Sequence, residues 1–290
     1  MKFNLLFSLF LKALSMCLGF ISIPLYIGYF GNDSVLGLWF SILSILTWTM
    51  YFDLGVGNGL KNEMIKLISD GSIAYARKLF IKSILFLSVF SFSLSFLVIA
   101  GFIVFYFWGS FEFKGIERDE FYLSMLVLAI AMFLQFPLKL GISCILSFQK
   151  SALSNVPLCL TQLLVVIYLY LMADIVSSKF FLYLSLFYAV SLVLPLSISL
   201  LYGLFLLKEG KTYNKVGGVS NRAFVDKVVF PGIGFFSIQI LLLLVTGSNE
   251  FFILHLFGGE QVVEYQVYYR LYSIGLVFFT TLCIPFWGYL

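Results

Sequence analysis

Four charged side chains sit inside long runs of hydrophobic residues: Lys12, Lys139, Glu250 and Arg270. Each has polar neighbours at helical spacing. Ser8, Lys12, Ser15 and Gly19 share one helix face, and Gln135, Lys139 and Ser143 share another. Gln239, Thr246, Asn249 and Glu250 form a third stripe, and Gln266, Arg270 and Ser273 a fourth. A charge within an apolar helix is costly, so such stripes must face a protein interior or a water-filled cavity. Three cations against one acid suit an anion such as phosphate, held by charge-assisted hydrogen bonds. Blander readings compete. Lys12 is near enough to one end of its run to snorkel to the headgroups, and Arg270 can form a structural ion pair with Glu250 or Glu264. His255, the single histidine, suits interfacial packing better than a proton relay.

The elements that must hold these residues are eight apolar stretches, at about 4–30, 35–54, 79–107, 121–148, 152–173, 180–207, 229–257 and 263–287. Each is roughly as long as a helix needs to be to cross the hydrocarbon core of a bilayer. The 290 residues include 18 basic and 14 acidic ones and are 61% hydrophobic, which leaves no charged surface for a soluble domain. The expected fold is all-α and polytopic, with about eight transmembrane helices. The first stretch is too long for a signal-peptide core and lacks a clear cleavage site, so it reads as a mature helix. A net charge of +4 without a basic tail or basic-aromatic stripe gives no reason to expect nucleic acid. Cys17, Cys144, Cys159 and Cys283 all fall inside the stretches and read as small apolar residues, so neither a disulfide framework nor a metal is expected.

Orientation follows from Lys and Arg. One set of connections carries Lys2, Lys61, Lys66, Arg77, Lys78, Lys82, Lys150, Lys208, Lys211, Lys215, Arg222 and Lys227. The other carries Lys114, Arg118 and Lys179. This positive-inside bias places the N-terminus and the 55–78 and 208–227 segments in the cytoplasm. Residues 60–78 read as a short amphipathic helix on the membrane surface, with Lys61, Lys66, Arg77 and Lys78 facing anionic headgroups. The plainer alternative is a solvated loop. The outer connections are short, the longest near 110–120, which leaves no external domain.

A weak internal repeat divides the chain. Phe30-Gly31-Asn32-Asp33-Ser34-Val35 matches Phe257-Gly258-Gly259-Glu260-Gln261-Val262, and the flanking apolar stretches align at the same offset. Residues 1–222 then form a six-helix bundle, and 223–290 supply the first two helices of a second, incomplete one. On that reading 229–290 pack loosely on the first bundle. All six prolines lie inside the stretches: Pro24, Pro137, Pro157, Pro195, Pro231 and Pro285. Such helices bend around a cavity, and Pro24 and Pro285 are candidate gating positions.

The second stretch ends in Asp53-Leu54-Gly55-Val56-Gly57-Asn58-Gly59. The glycines superficially suggest a phosphate loop, but no strand precedes them. Gly55, Gly57 and Gly59 fit close helix packing and a tight exit better. Asp53 is placed to pair with Lys12 or Lys139. This segment, YFDLGVGNGLKNEM, resembles the one after the second helix in O-antigen flippases of the polysaccharide-exporter group. These belong to the superfamily that also holds multidrug/toxin extrusion transporters and lipid II flippases. The resemblance extends to IPLYIGYFGNDSVLGLW at 23–39, GSNEFFILHLFGGEQVVEYQVYYRLYSI at 247–274 and IPFWGYL at 284–290, while the middle stretches match in pattern alone.

The resemblance implies two six-helix bundles and alternating access between them. The implied cargo is an undecaprenyl-pyrophosphate-linked oligosaccharide, moved across a bacterial inner membrane. It implies no cofactor and no enzymatic activity. The implied partners are membrane lipids, an O-antigen polymerase and a chain-length regulator. Lys12, Lys139, Arg270, Asn249 and Glu250 become the expected cavity residues. Rival readings are a cation exporter of the same superfamily, a membrane-bound polymerase or acyltransferase, and an inactive fragment. The first needs an acidic cavity, and the second needs a large outer loop or a cluster of His, Asp and Arg.

Overall fold

The computed structural model describes residues 2–48, 54–108, 115–172, 179–208, 219–246 and 248–287. Those residues form an all-α protein. The helices are α1 (Lys2–Phe30), α2 (Asp33–Trp48), α3 (Val56–Ser69), α4 (Ile73–Trp108), α5 (Arg118–Ser147), α6 (Ser151–Ser154) and α7 (Val156–Met172). They continue with α8 (Phe180–Leu206), α9 (Asn221–Phe224), a π turn (Val225–Val229), α10 (Phe230–Thr246), α11 (Asn249–Phe257) and α12 (Gly259–Trp287). Asp53, Lys114, Lys211 and Lys215 lie outside the described residues, as do the side chains of Thr246, Cys283 and Pro285.

Six segments among the described residues are long and apolar enough to cross a bilayer: Leu6–Phe30, Ile73–Val104, Arg118–Ser147, Ser151–Met172, Phe180–Leu206 and Asn221–Leu242. The protein is a multi-pass membrane protein. The expected stretches at 35–54 and 263–287 lie partly outside the described residues and side chains. Of the stretch expected at 35–54, α2 (Asp33–Trp48) is the described helical part and includes the apolar helix Asp33–Leu46. α12 covers the stretch expected at 263–287, and the described side chains of its first half include Glu260, Glu264 and Arg270.

Proline explains two local departures. The ring of Pro231 crowds the carbonyl four residues back, at Lys227, and removes its own N–H from the ladder. The chain widens into the Val225–Val229 π turn at that point, and Phe230 donates to the carbonyl of Val225. Pro157 does the same to Leu153, and the helix interrupts between Ser154 and Val156. α1, α5 and α8 run on through Pro24, Pro137 and Pro195. The stretch expected at 229–257 is divided into α10 and α11, with α10 ending at Thr246 and α11 starting at Asn249.

Two apolar cores hold the helices. One joins Tyr26 and Phe30 of α1, Trp39 and Phe40 of α2, Leu169 of α7 and Phe181 of α8, and it takes in Val262 of α12. The other joins Leu60 and Met64 of α3 to Leu79 and Phe80 of α4, Leu140 and Cys144 of α5, and Val228 of the π turn. Lipid tails are as apolar as these side chains, so within the bilayer the cores hold by close van der Waals packing and not by removal from water. The single surface helix expected over 60–78 is instead divided: α3 ends at Ser69 and α4 starts at Ile73, and the apolar face of α3 is turned into protein. Lys66 and, beyond the turn, Arg77 and Lys78 remain exposed.

The 229–290 region meets the rest unevenly. Val228 and Val262 are fully buried. Between them Phe230, Ile238, Leu241 and Leu244 of α10 are all more than 60% exposed, and α10 packs chiefly on α3 and the π turn.

Candidate functional site

The seam where α12 crosses α1 and α2 gathers most of the sequence-derived candidates. It opens on small residues: an added Cβ at Gly37 of α2 would strike the backbone of Gly259 at the start of α12, and one at Gly259 would strike Ser34. With no side chain between them the helices meet backbone to backbone, as small residues permit. That approach places Arg270 beside α1 and Gln266 beside α2.

Arg270 Nη1 donates to the carbonyl of Gly19 and, at 3.0 Å, to Ser22 Oγ. Ser22 in turn donates to the same carbonyl at 2.8 Å. The guanidinium carbon stands 5.7 Å from the centre of the Phe40 ring, within cation–π range. All three partners are neutral. Among the described residues no carboxylate lies within ion-pairing distance of Arg270, so neither Glu250 nor Glu264 neutralises it. A guanidinium has five N–H donors, and these contacts occupy one nitrogen.

Lys12 occupies the same face of α1, seven residues or about 10 Å along the axis from Gly19. It is half-buried and makes no hydrogen bond or ion pair with another described residue. One turn earlier, Ser8 is buried and accepts from Asn155 Nδ2 at 2.7 Å. The polar stripe read along α1 thus runs from Asn155 through Lys12 to Arg270.

Glu250 forms the second part of the site. It is 5% exposed, at the first turn of α11. Ser44 Oγ donates to one carboxylate oxygen at 2.6 Å, and Gln266 Nε2 donates to the other at 2.7 Å. Asn249 donates to the hydroxyl of Tyr265 at 2.9 Å. The carboxylate and the guanidinium are therefore held by separate sets of neutral groups on one seam.

Lys139 stands on α5, which packs mainly against α3, α4, α6 and α8. It is half-buried. Gln135, one turn before it, is 2% exposed, and neither atom of its amide has a partner among the described residues. A buried, unsatisfied amide costs roughly 1–3 kcal/mol and suits a water or a ligand group.

At the opposite end of the seam the glycine motif does structural work. Leu54 and Gly55 both have positive φ, 54° and 67°. Gly55 ends the turn into α3, and a Cβ there would collide with the carbonyl of Gly232. At Gly59 a Cβ would meet the carbonyl of Val228. Gly57 is buried on the same helix. Four residues beyond Gly59, Glu63 accepts a hydrogen bond from Lys227 Nζ at 2.9 Å. Asp53, expected to pair with Lys12 or Lys139, lies outside the described residues.

Several partners were not evident from sequence. Ser22 extends the Lys12–Gly19 stripe by one step of three, which was a readable signal. Ser44 is one hydroxyl in an apolar helix, and nothing in the sequence ties it to Glu250. Glu120, buried at 3% exposure, accepts from the backbone N–H groups of Phe181 and Leu182 at 2.8 and 3.0 Å. It thereby caps α8 from α5, across a sequence distance that no local pattern reveals. No family model, curated protein or solved structure matches this chain, so its site is defined by its own geometry.

Proposed function

We propose that the protein is a flippase for an anionic, lipid-linked oligosaccharide of the undecaprenyl-pyrophosphate type, acting in a bacterial inner membrane with its N-terminus cytoplasmic. The observation that carries the reading is Arg270: a membrane-depth guanidinium with neutral partners, spare donors and Lys12 in line on the same face of α1. A charge left uncompensated at such a position costs roughly 2.5–3.5 kcal/mol on insertion scales. An anionic group entering the seam offsets that cost through charge-assisted hydrogen bonds, and a pyrophosphate has oxygens enough for both cations. The polyprenyl tail stays in lipid, while the sugars need a wet path. Movement of α10–α12 against α1–α3 supplies alternating access in this reading.

Glu250 favours a second reading, export of a cation. A buried carboxylate held by Ser44 and Gln266 offers a negative charge to a cationic cargo in the membrane. The two readings part on cargo. In a strain lacking its own O-antigen flippase, expression of the gene should restore lipid-linked oligosaccharide to the outer leaflet. Arg270→Ala, at matched abundance, should reduce that restoration at least tenfold. Resistance to cationic dyes, without change in the leaflet distribution of oligosaccharide, would favour the exporter and overturn the proposal.

A further inference from the structure

The basic end of α4 borders a groove on the lipid-facing surface, away from the seam described above. It measures about 650 Å³ and lies between α4 and the α9–π turn–α10 segment. One wall is a single stripe of α4: Lys82, Leu85, Phe86, Val89, Phe90 and Ser93. These positions recur at three- and four-residue steps and so fall on one face. The other wall is Asn221, Phe224, Val225 and Val229. Phe224 is its floor, 4% exposed and edge-on to Phe86 at 5.5 Å.

Lys82 is the last charge in α4; from Ser83 to Trp108 the helix has none. Its Nζ donates to the carbonyl of Val219 at 2.7 Å and to Asn221 Oδ1 at 2.8 Å, and it stands 5.5 Å from the centre of the Phe224 ring. Each of these partners is neutral. An ammonium has three N–H donors, and two of them are taken up among the described residues. Among the described residues no carboxylate reaches Lys82 within ion-pairing distance. Arg222 adds a second cation at the mouth, 93% exposed, with Asp226 as a weak partner at 3.8 Å.

The dimensions specify the occupant. From Lys82 to Ser93 the stripe runs eleven residues, or about 16 Å at 1.5 Å per residue. That is about half of a 30 Å hydrocarbon core, the depth of one leaflet. A cation with neutral partners sits at one end, and below it the wall is apolar; Leu85 and Val89 are 61% and 69% exposed to the membrane.

We infer that this groove is a binding site for one anionic phospholipid of the leaflet at the basic end of the bundle, with its phosphate on Lys82 and an acyl chain along Leu85, Val89 and Val225. The site is independent of the flippase reading. Lys82, Asn221 and Phe224 already join α4 to the α9–π turn segment, and the lipid would bind across that joint, at the junction from which α10 departs.

The test is native mass spectrometry of the purified 290-residue protein, with phosphatidylglycerol or phosphatidylcholine of matched chains added to the detergent. One phosphatidylglycerol should survive collisional activation at five times or more the occupancy of phosphatidylcholine. Lys82→Gln should remove that preference, and Lys82→Arg should keep it. Leu85→Trp leaves the hydrogen bonds of Lys82 in place and fills the groove, so it should lower occupancy several-fold even if Lys82→Gln proves unstable. Equal retention of the two lipids by the unaltered protein would overturn the inference. So would undiminished phosphatidylglycerol binding by Leu85→Trp with an unchanged thermal melt.

Discussion

Arg270 donates to Ser22 Oγ at 3.0 Å and so joins the last described helix to the first across 248 positions of sequence. Gly19 offers its carbonyl beside that hydroxyl, and the guanidinium donates to both. An added Cβ at Gly19 would stand 3.8 Å from Arg270 Nη1, an ordinary contact. The small residue thus leaves room at this point without being the sole one that fits.

Arg270→Ala removes a cation and one of the side-chain donors to the Gly19 carbonyl. In the flippase reading it removes a contact to the anion as well. Loss of one charge-assisted hydrogen bond is worth roughly 1.5–3 kcal/mol, so oligosaccharide translocation should fall by about ten- to a hundredfold. Lys139→Ala should also impair it. Lys208→Ala, at the end of α8, should leave it unchanged, because an exposed charge is screened by salt and water. Outer-leaflet oligosaccharide measured at matched protein abundance checks this; equal activity of all three variants would exclude a cargo role for the buried cations.

The glycines of the α3 segment carry a prediction about packing alone. Gly55→Ala and Gly59→Ala each insert a methyl where the backbone of Gly232 or Val228 already sits. Gly55 is penalised further by its positive φ of 67°. Each should destabilise the protein by about 1–3 kcal/mol. Gly28→Ala and Gly234→Ala face open space and should be neutral or slightly stabilising. Thermal melts in one detergent decide the matter, and a ranking in which Gly28→Ala is the more harmful would contradict the packing.

Much of this was legible in the sequence because its signals are local. Apolar length predicts the helices of a membrane protein, and the polar stripe on α1 predicts a face that the structure does present to Arg270. The tight exit at Gly55 was readable from glycine spacing, since few other residues accept a positive φ beside another backbone. What stayed hidden depends on tertiary approach. Nothing near Glu250 identifies Ser44 as its donor, and nothing near Glu120 predicts that it caps α8. α11 starts after Ser248, inside an apolar stretch where a length criterion sees no boundary. The burial of Leu60 and Met64 was hidden for a related reason: an apolar face turned toward lipid and one turned toward α4 and α5 have the same periodicity.

Topology can be checked without reference to function. Basic residues concentrate on one set of connections, which predicts that position 215 faces the cytoplasm and position 114 the outside. In intact cells an impermeant thiol reagent should label Lys114→Cys and leave Lys215→Cys unlabelled until the membrane is opened. The exposed native Cys17 calls for a cysteine-free background. Labelling of Lys215→Cys in intact cells would invert the topology, and the Lys82 groove would then open to the outer leaflet.

The ion pair between α3 and the π turn supports a final prediction. Glu63 is 10% exposed at its side chain and Lys227 is 48% exposed, with 2.9 Å between Oε1 and Nζ. Lys227 also stands 6.0 Å from the Tyr75 ring centre. The two partners are unequally buried, so their removal is unequal in effect. Lys227→Ala strands a nearly buried carboxylate and should destabilise by about 1–3 kcal/mol. Glu63→Gln keeps a hydrogen-bonding group of the same shape beside a lysine that water already reaches, and should cost about 1 kcal/mol or less. The double variant, Glu63→Gln with Lys227→Ala, should be less harmful than the sum, since the stranded charge is gone. A double-mutant cycle of thermal stability gives the coupling, and strict additivity would show that the two residues act apart. The same cycle on transport has a different expectation. If α10 moves against α3 during the reaction, the pair must break, and the double variant should lose less activity than stability. A parallel loss of both would place the Glu63–Lys227 contact in the static framework of the protein.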